Sequence, residues 1–173
     1  MAWVADPAHT SVHFVARHMM LSKVRGEFQD FTVSLEIDEE HPETASVEAH
    51  IKTASINTRD AQRDGHLRSA DFFKSDEFPE MVFKSTRVEL TGKETAKLHG
   101  DLTIRDVTKP VVLDVTYLGS SKSPWGTTSA GFEAGTKINR EDWGLTWDVA
   151  LETGGWLVSK DITINIEAEF TKQ

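Results

Sequence analysis

At 173 residues the chain fits one domain, able to bury roughly 70% of its unfolded surface, and with 38% hydrophobic and 27% charged residues it is not a wholly disordered chain. A net charge of −9 repels a phosphate backbone and argues against nucleic acid as a partner, and the absence of cysteine removes disulfides, thiolate catalysis and Cys-based zinc or iron–sulfur centres. Met1 to Pro7 holds neither a basic segment nor an apolar run, which places the chain as written in the cytoplasm, or in the periplasm or outside the cell if a leader preceded it; no window is apolar enough to span a bilayer as a helix.

From Ser11 to His18, Val12, Phe14 and Ala16 alternate with Ser11, His13, Val15 and Arg17, the period of two of a half-buried strand. His18 falls on the Phe14 side, either as a core-edge histidine bonded to a carbonyl or as a polar group facing a ligand. His9 and His13 share a face, but no acidic residue or third histidine is evident beside them and no metal site is expected. From Val24 to Ile37 the alternation changes phase, so a β-bulge near Gln29 and Asp30 is expected to bend a long strand. Asp38 to Thr44, acidic and carrying Pro42, reads as an exposed turn, and Val47 to Lys52 as the third strand.

Asn57 to Lys84 is where the alternation stops. Thr58 can N-cap a short helix that stacks Arg59, Arg63 and His66 on one basic face. Asp64 and Arg68 can pair on another, although Gly65 costs the helix about 1 kcal/mol relative to Ala. Phe72, Phe73 and Phe78 follow before Pro79, an aromatic density that a solvated loop does not need, and these rings are expected to plug something. Asp60, Asp64 and His66 can be imagined as an acid–base cluster, but alternating charges on a short helix are ordinarily just solvated.

Alternation then resumes from Met81 to Leu90, Leu98 to Ile104, Val111 to Tyr117, Ala130 to Ile138 and Ile162 to Phe170. Arg105 to Pro110 and Gly119 to Gly126 read as turns, and Asn139 to Trp156 holds three tryptophans. The expected fold is all-β: one domain, 1–173, forming an eight-stranded antiparallel barrel with a short helical segment between strands 3 and 4. Ala16, Gly26, Ala49, Gly100, Ala130 and Ala134 on the apolar faces favour a hollow able to hold one small ligand; a solid sandwich with small residues at crowded crossings is the alternative.

The motifs D-x-x-H-T at Asp6 to Thr10, S-V-H-F-x-x-R-H at Ser11 to His18, V-x-G-x-F at Val24 to Phe28, R-D-x-H-L at Arg63 to Leu67, D-F-F at Asp71 to Phe73, G-D-L-T-I-R-D-V-T-K-P-V at Gly100 to Val111 and I-N-R-x-D-W-G at Ile138 to Gly144 run the length of the chain. In this set and order the chain resembles the YceI-like family of lipocalin-like, polyisoprenoid-binding proteins. The resemblance implies a long apolar pore holding a polyisoprenoid, an isoprenoid quinone or a fatty amide, and many members carry a secretion signal. Asp106 stands where the family usually has Gly in a turn, and Trp143 where Phe is commoner, a change that would narrow or reshape the pore.

The expected pore residues are Phe14, Phe28, Phe83, Leu102, Phe132, Trp143 and Ile164. The expected polar mouth is His18, Arg59, Arg63, His66 and Arg140, with a salt bridge to Asp142 or another nearby carboxylate as the other role for Arg140. No cofactor is implied, the partner is a long-chain lipid, and a homodimer is left open. An enzyme acting on such a lipid is one alternative, although G-x-S-x-G, H-E-x-x-H, a P-loop and G-x-G-x-x-G are all missing. A stress-related interaction protein with a solid core is the other.

Overall fold

The period-two segments become eleven strands in the computed structural model, which describes residues 2–152 and 157–173. In chain order they are β1 (Ala2–Ala5), β2 (Ser11–His18), β3 (Ser22–Phe28), β4 (Phe31–Asp38), β5 (His41–Lys52), β6 (Ile56–Asn57), β7 (Glu80–Leu90), β8 (Thr95–Ile104), β9 (Val107–Lys122), β10 (Thr128–Asn139) and β11 (Asp161–Lys172), with the helix α1 (Ala61–Arg68) between β6 and β7. Three pairs are single long strands broken by a bend. β1 and β2 flank the 3-10 turn Pro7–His9 and both pair with β11, as Trp3↔Lys172 and Val12↔Ile166. β3 pairs with β2 while β4 pairs with β1, and β6 pairs with β3 while β5 pairs with β4. Eight long antiparallel strands therefore close into a barrel through β11, as expected from the sequence. β1 was not foreseen: Asp6 and Pro7 interrupt the pattern before Trp3, which is 3% exposed, can be read as part of a strand.

The expected bulge at Gln29 and Asp30 is a complete break. Its backbone bonds elsewhere, the Gln29 N–H donating to the Ser55 carbonyl (3.2 Å) and the Asp30 carbonyl accepting from Lys52 (2.9 Å). Three expected turns are shorter than the sequence indicated. Pro42 lies inside β5 and Pro110 inside β9, each on a stretch that the second neighbouring strand does not reach: β5 meets β7 only from Glu48, and β9 meets β10 only from Asp114. A missing N–H costs no ladder bond there. β9 also runs through Gly119, whose φ of 115° takes up a register shift opposite Gly131, so the loop shrinks to Ser123–Thr127. In the turn between β8 and β9 the left-handed residue is Arg105 (φ 56°), not Asp106. Its guanidinium lies 5.5 Å over the Phe78 ring and reaches the Ala70 and Phe72 carbonyls.

The interior is unevenly filled. Val33, Leu35, Phe83, Leu102 and Leu113 on β4, β7, β8 and the first half of β9 are buried, whereas Phe14, Phe132, Ile162, Ile164 and Ile166 on β2, β10 and β11 keep part of their surface free inside a closed barrel. Gly26 and Gly100 do not enlarge this hollow, contrary to the sequence expectation. An added Cβ would fall 2.2 Å from the Phe14 ring at Gly26, and 2.4 Å from the Phe83 ring and 2.7 Å from the Lys84 carbonyl at Gly100. Each glycine is the seat of a phenylalanine.

At the bend between β1 and β2, Asp6 caps the 3-10 turn and takes a 2.7 Å bond from His9 Nδ1. That bond holds the Asp6 carboxyl below its ordinary range and, with Glu169 nearby, raises the His9 imidazole. Because the raised group is a base, its contribution is complete below the ordinary imidazole value of 6.5 and disappears as pH climbs through the raised value. The melting-temperature gap between wild type and His9→Ala should therefore be widest in mildly acidic buffer and close on the alkaline side. Gly100→Ala should destabilise by about 1–3 kcal/mol in urea titration, because a backbone carbonyl cannot move aside, while Gly26→Ala should cost less because Phe14 can swing into the hollow.

Candidate functional site

The hollow is a continuous cavity of about 1220 Å³ running from one end of the barrel to the other. Its wall is built by the inward positions of the strands. Of the seven pore residues expected from the sequence, Phe14, Phe28, Phe83, Leu102, Phe132 and Ile164 line it. Trp143 does not. It sits in the 3-10 turn Arg140–Trp143 after β10, is 3% exposed, and donates its indole N–H to the Leu102 carbonyl at 2.8 Å, so it braces the wall from behind. Ala16, Ala49, Ala130 and Ala134 line the cavity as expected, and a volume above the usual range of small-molecule pockets excludes the solid-core alternative.

Two sets of polar residues mark the two ends. Glu39, Lys93, Glu94 and Lys172 stand at the end where β1 begins, with Lys172 Nζ 3.6 Å from the Glu39 carboxylate. At the other end α1 and the chain that follows it close over the barrel. Phe72 and Phe73 line the cavity there as the expected plug, and Phe73 meets Phe28 edge-on at 5.8 Å between ring centres, whereas Phe78 stays outside under Arg105.

The charges at this end are arranged differently from the sequence expectation. Asp60, not Thr58, caps α1, its carboxylate accepting from the Gln62 and Arg63 N–H groups at 3.1 Å each. Arg59 precedes the helix with φ 65°, belongs to no helical stripe and does not line the cavity. Asp64 pairs with no Arg68; it is buried and takes hydrogen bonds from both the N–H and the hydroxyl of buried Thr58. Arg63 adds bonds from Nε to the Thr58 hydroxyl (2.8 Å) and from Nη2 to the Thr58 carbonyl (2.7 Å). One threonine thus ties the helix to β6, because a buried carboxylate left without these donors would be costly. His66 lines the cavity, its Nε2 on the Asp71 carboxylate at 2.9 Å and its ring edge-on to Trp147 at 4.5 Å and Phe72 at 5.2 Å. His18 also borders the cavity, at the end of β2.

Arg140 borders the cavity but is committed to structure. It is 5% exposed; Nε donates to the Ser159 carbonyl, Nη1 to the Leu145 and Trp147 carbonyls, and Nη2 to the Asp148 carboxylate at 2.8 Å and the Val158 carbonyl at 3.3 Å. Its ion-pair partner is Asp148 and not Asp142. These bonds gather an irregular stretch between β10 and β11 and so set Leu145, Trp147 and Leu157 into the wall. Sequence reading missed all three, because no periodicity survives where carbonyls bond to a side chain; Trp156, counted with Trp147 in the sequence, lies outside the described residues. Asp6, His9 and Glu169 do come together, correcting the expectation that no acid stands beside His9, but none of the three lines the tube.

The fold and the tube define a lipocalin-like barrel, a closed antiparallel wall around a mainly apolar interior with charged groups only at its ends. Residues 3–170 match the YceI-like domain, and the chain belongs to the YceI-like family. It is 40% identical over 167 residues to a UPF0312 protein of Staphylococcus aureus (strain MSSA476), covering 96% of this chain and 95% of that one. The YCEI protein of Campylobacter jejuni superposes with a TM-score of 0.80 at 35% identity over 91% of this chain and 90% of that one. A polyisoprenoid-binding domain from Saccharophagus degradans, implicated in plant cell wall breakdown, shares the fold at a TM-score of 0.70, 12% identity and coverage of 99% and 98%. Among the described residues no helix is long and apolar enough to cross a membrane.

Arg140→Ala should strand the Asp148 carboxylate and several carbonyls, lowering stability by about 3–5 kcal/mol in denaturant titration. Arg63→Ala, which removes bonds to Thr58 on a partly exposed side chain, should cost about 1 kcal/mol in the same assay.

Proposed function

We propose that the chain binds a long-chain amphiphilic lipid along the tube, a polyisoprenoid, an isoprenoid quinone or a fatty amide, and stores or transports it out of contact with water. The observation that carries this reading is the end-to-end cavity whose middle offers only apolar and aromatic walls plus Thr136. An extended hydrocarbon matches such a tube, since each Å² removed from water contributes about 25 cal/mol and no polar group of the chain is stranded. The headgroup belongs at the α1 end. There Arg63, His66 and His18 border the cavity, and the Arg63 Nη1 group, 3.9 Å from Asp60, is too far from that carboxylate for a hydrogen bond. The Saccharophagus degradans domain, described as polyisoprenoid-binding, supports the reading at the level of the shared fold. Turnover of such a lipid is the second reading, for which Asp64 is a poor candidate base because both its donors come from Thr58.

Organic extraction of the purified protein followed by mass spectrometry tests the proposal, with a co-purified chain lipid as the expected result. An empty extract together with no uptake of an added polyisoprenoid alcohol would sink it, and conversion of that alcohol would favour the enzyme. Phe132, whose ring packs 5.3 Å from Tyr117 and 5.7 Å from Phe170, gives the site-specific check. Phe132→Asp should abolish retention and destabilise by several kcal/mol through an unpaired buried carboxylate. Ile164→Trp, which fills the tube without adding charge, should remain folded and hold a shorter chain or none.

A further inference from the structure

We propose that the hairpin joining β2 and β3 is a membrane-docking tip that inserts Met19, Met20 and Leu21 into an anionic bilayer surface and brings the adjacent end of the tube against the lipid. The proposal rests on the tube being a lipid site, and its test needs no ligand in the tube.

Exposed apolar residues elsewhere on the described surface stand singly, as Val4, Leu90, Val112, Leu118, Trp125 and Val149 do. At this tip three are consecutive, 43%, 61% and 79% exposed for Met19, Met20 and Leu21. Single exposed apolar side chains are normal, whereas a contiguous patch marks a surface that meets another phase or partner. The backbone displays them at an energetic cost. Met19 and Met20 both lie in the left-handed region, φ 54° and 61°, where a hairpin would be relaxed with Asn or Gly. The turn is nevertheless tied down, the Met19 N–H donating to the Leu157 carbonyl at 2.8 Å and the Leu21 N–H to the His18 carbonyl at 3.0 Å.

The collar of this tip is basic on a chain of net charge −9. Arg17 and Lys23 are cross-strand partners, and Arg25, opposite Val15, is two residues along β3 and so shares their outward face. None of the three is in a salt bridge among the described residues. No acidic residue occurs from Val12 to Gly26; acids resume at Glu27 on β3, at Asp161, which opens the neighbouring β11, and on the stretch that Leu157 bonds to at Val149, where Asp148 is taken up by Arg140 and Glu152 follows. Methionine and leucine offer nothing to hydrogen-bond and adapt to any apolar medium, and cations around them match phosphate headgroups. Arg17, His18, Val24 and Leu157 at the base of the hairpin border the tube, so a bilayer engaging the tip lies beside the opening through which a lipid would pass.

Flotation of the full chain with phosphatidylcholine vesicles, with and without phosphatidylglycerol, tests the proposal. The wild type should float with the anionic vesicles and lose binding as salt is raised. Met20→Asp with Leu21→Asp should weaken partitioning at least tenfold, and Lys23→Glu with Arg25→Glu should weaken it by about fivefold per cation removed and erase the preference for phosphatidylglycerol. Both variants alter exposed side chains and should keep the wild-type melting temperature. Trp125→Ala removes an equally exposed apolar group at the opposite end of the barrel and should leave flotation unchanged. A wild type that does not float, equal loss for Trp125→Ala and the tip variants, or a dimer that the tip substitutions convert to monomer with no vesicle binding would each overturn it. Flotation through the tip by a chain whose extract contains no lipid and which takes up no added polyisoprenoid alcohol would uphold docking while refuting the cargo, so the two readings fail separately.

Discussion

The tube depends on the closure of one hydrogen-bonded ladder through β11, which pairs with β10 on one side and with both β1 and β2 on the other. Closure gives every wall strand a hydrogen-bonded neighbour on both sides over at least part of its length, so no second layer has to pack across the interior to protect an edge. That freedom is what allows Phe132, Ile164 and Ile166 to keep free surface inside the barrel. The bend at Pro7–His9 is part of the same constraint: without it the first long strand could not follow β11 over its whole length.

The α1 end of the tube is shaped by polar chemistry, in contrast to its wall. Arg140 collects carbonyls from two pieces of chain that belong to no strand, and the Thr58, Asp64 and Arg63 group pins the helix beside them. Both are buried or half-buried charged networks, which add little net stability over well-packed apolar groups but are costly to leave incomplete. Their effect is to fix where Trp147, Leu157 and Phe72 stand. The wall is apolar along the middle of the tube apart from Thr136, and directional bonding is gathered at its rim, the division of labour expected of a site that holds a long apolar chain by area and orients it by a few contacts.

Bore as well as length is set by individual residues. Phe14 and Phe83 each fold over a glycine, so two large rings lie flat against the wall where any side chain beneath would push them into the lumen. Trp143, which the sequence places in the pore, lies behind Leu102 and does not narrow the lumen. The lumen is therefore shaped by residues that avoid it as much as by those that face it.

The eight-strand barrel and six of the seven pore residues were legible in the sequence because strand alternation is local: a residue two positions from Phe132 faces the same side whatever the rest of the chain does. The family motifs were legible for the same reason, being short runs of neighbours. What tertiary structure alone decided were the partners of charged groups and the ends of strands. Whether Asp64 bonds Arg68 or Thr58, whether Arg140 faces a ligand or four carbonyls, and whether Pro110 ends a strand or sits within one each depends on which distant backbone arrives alongside. One strand's own sequence carries no record of where its neighbour stops, and a side chain's bonds are settled only when folding has removed its alternative, water.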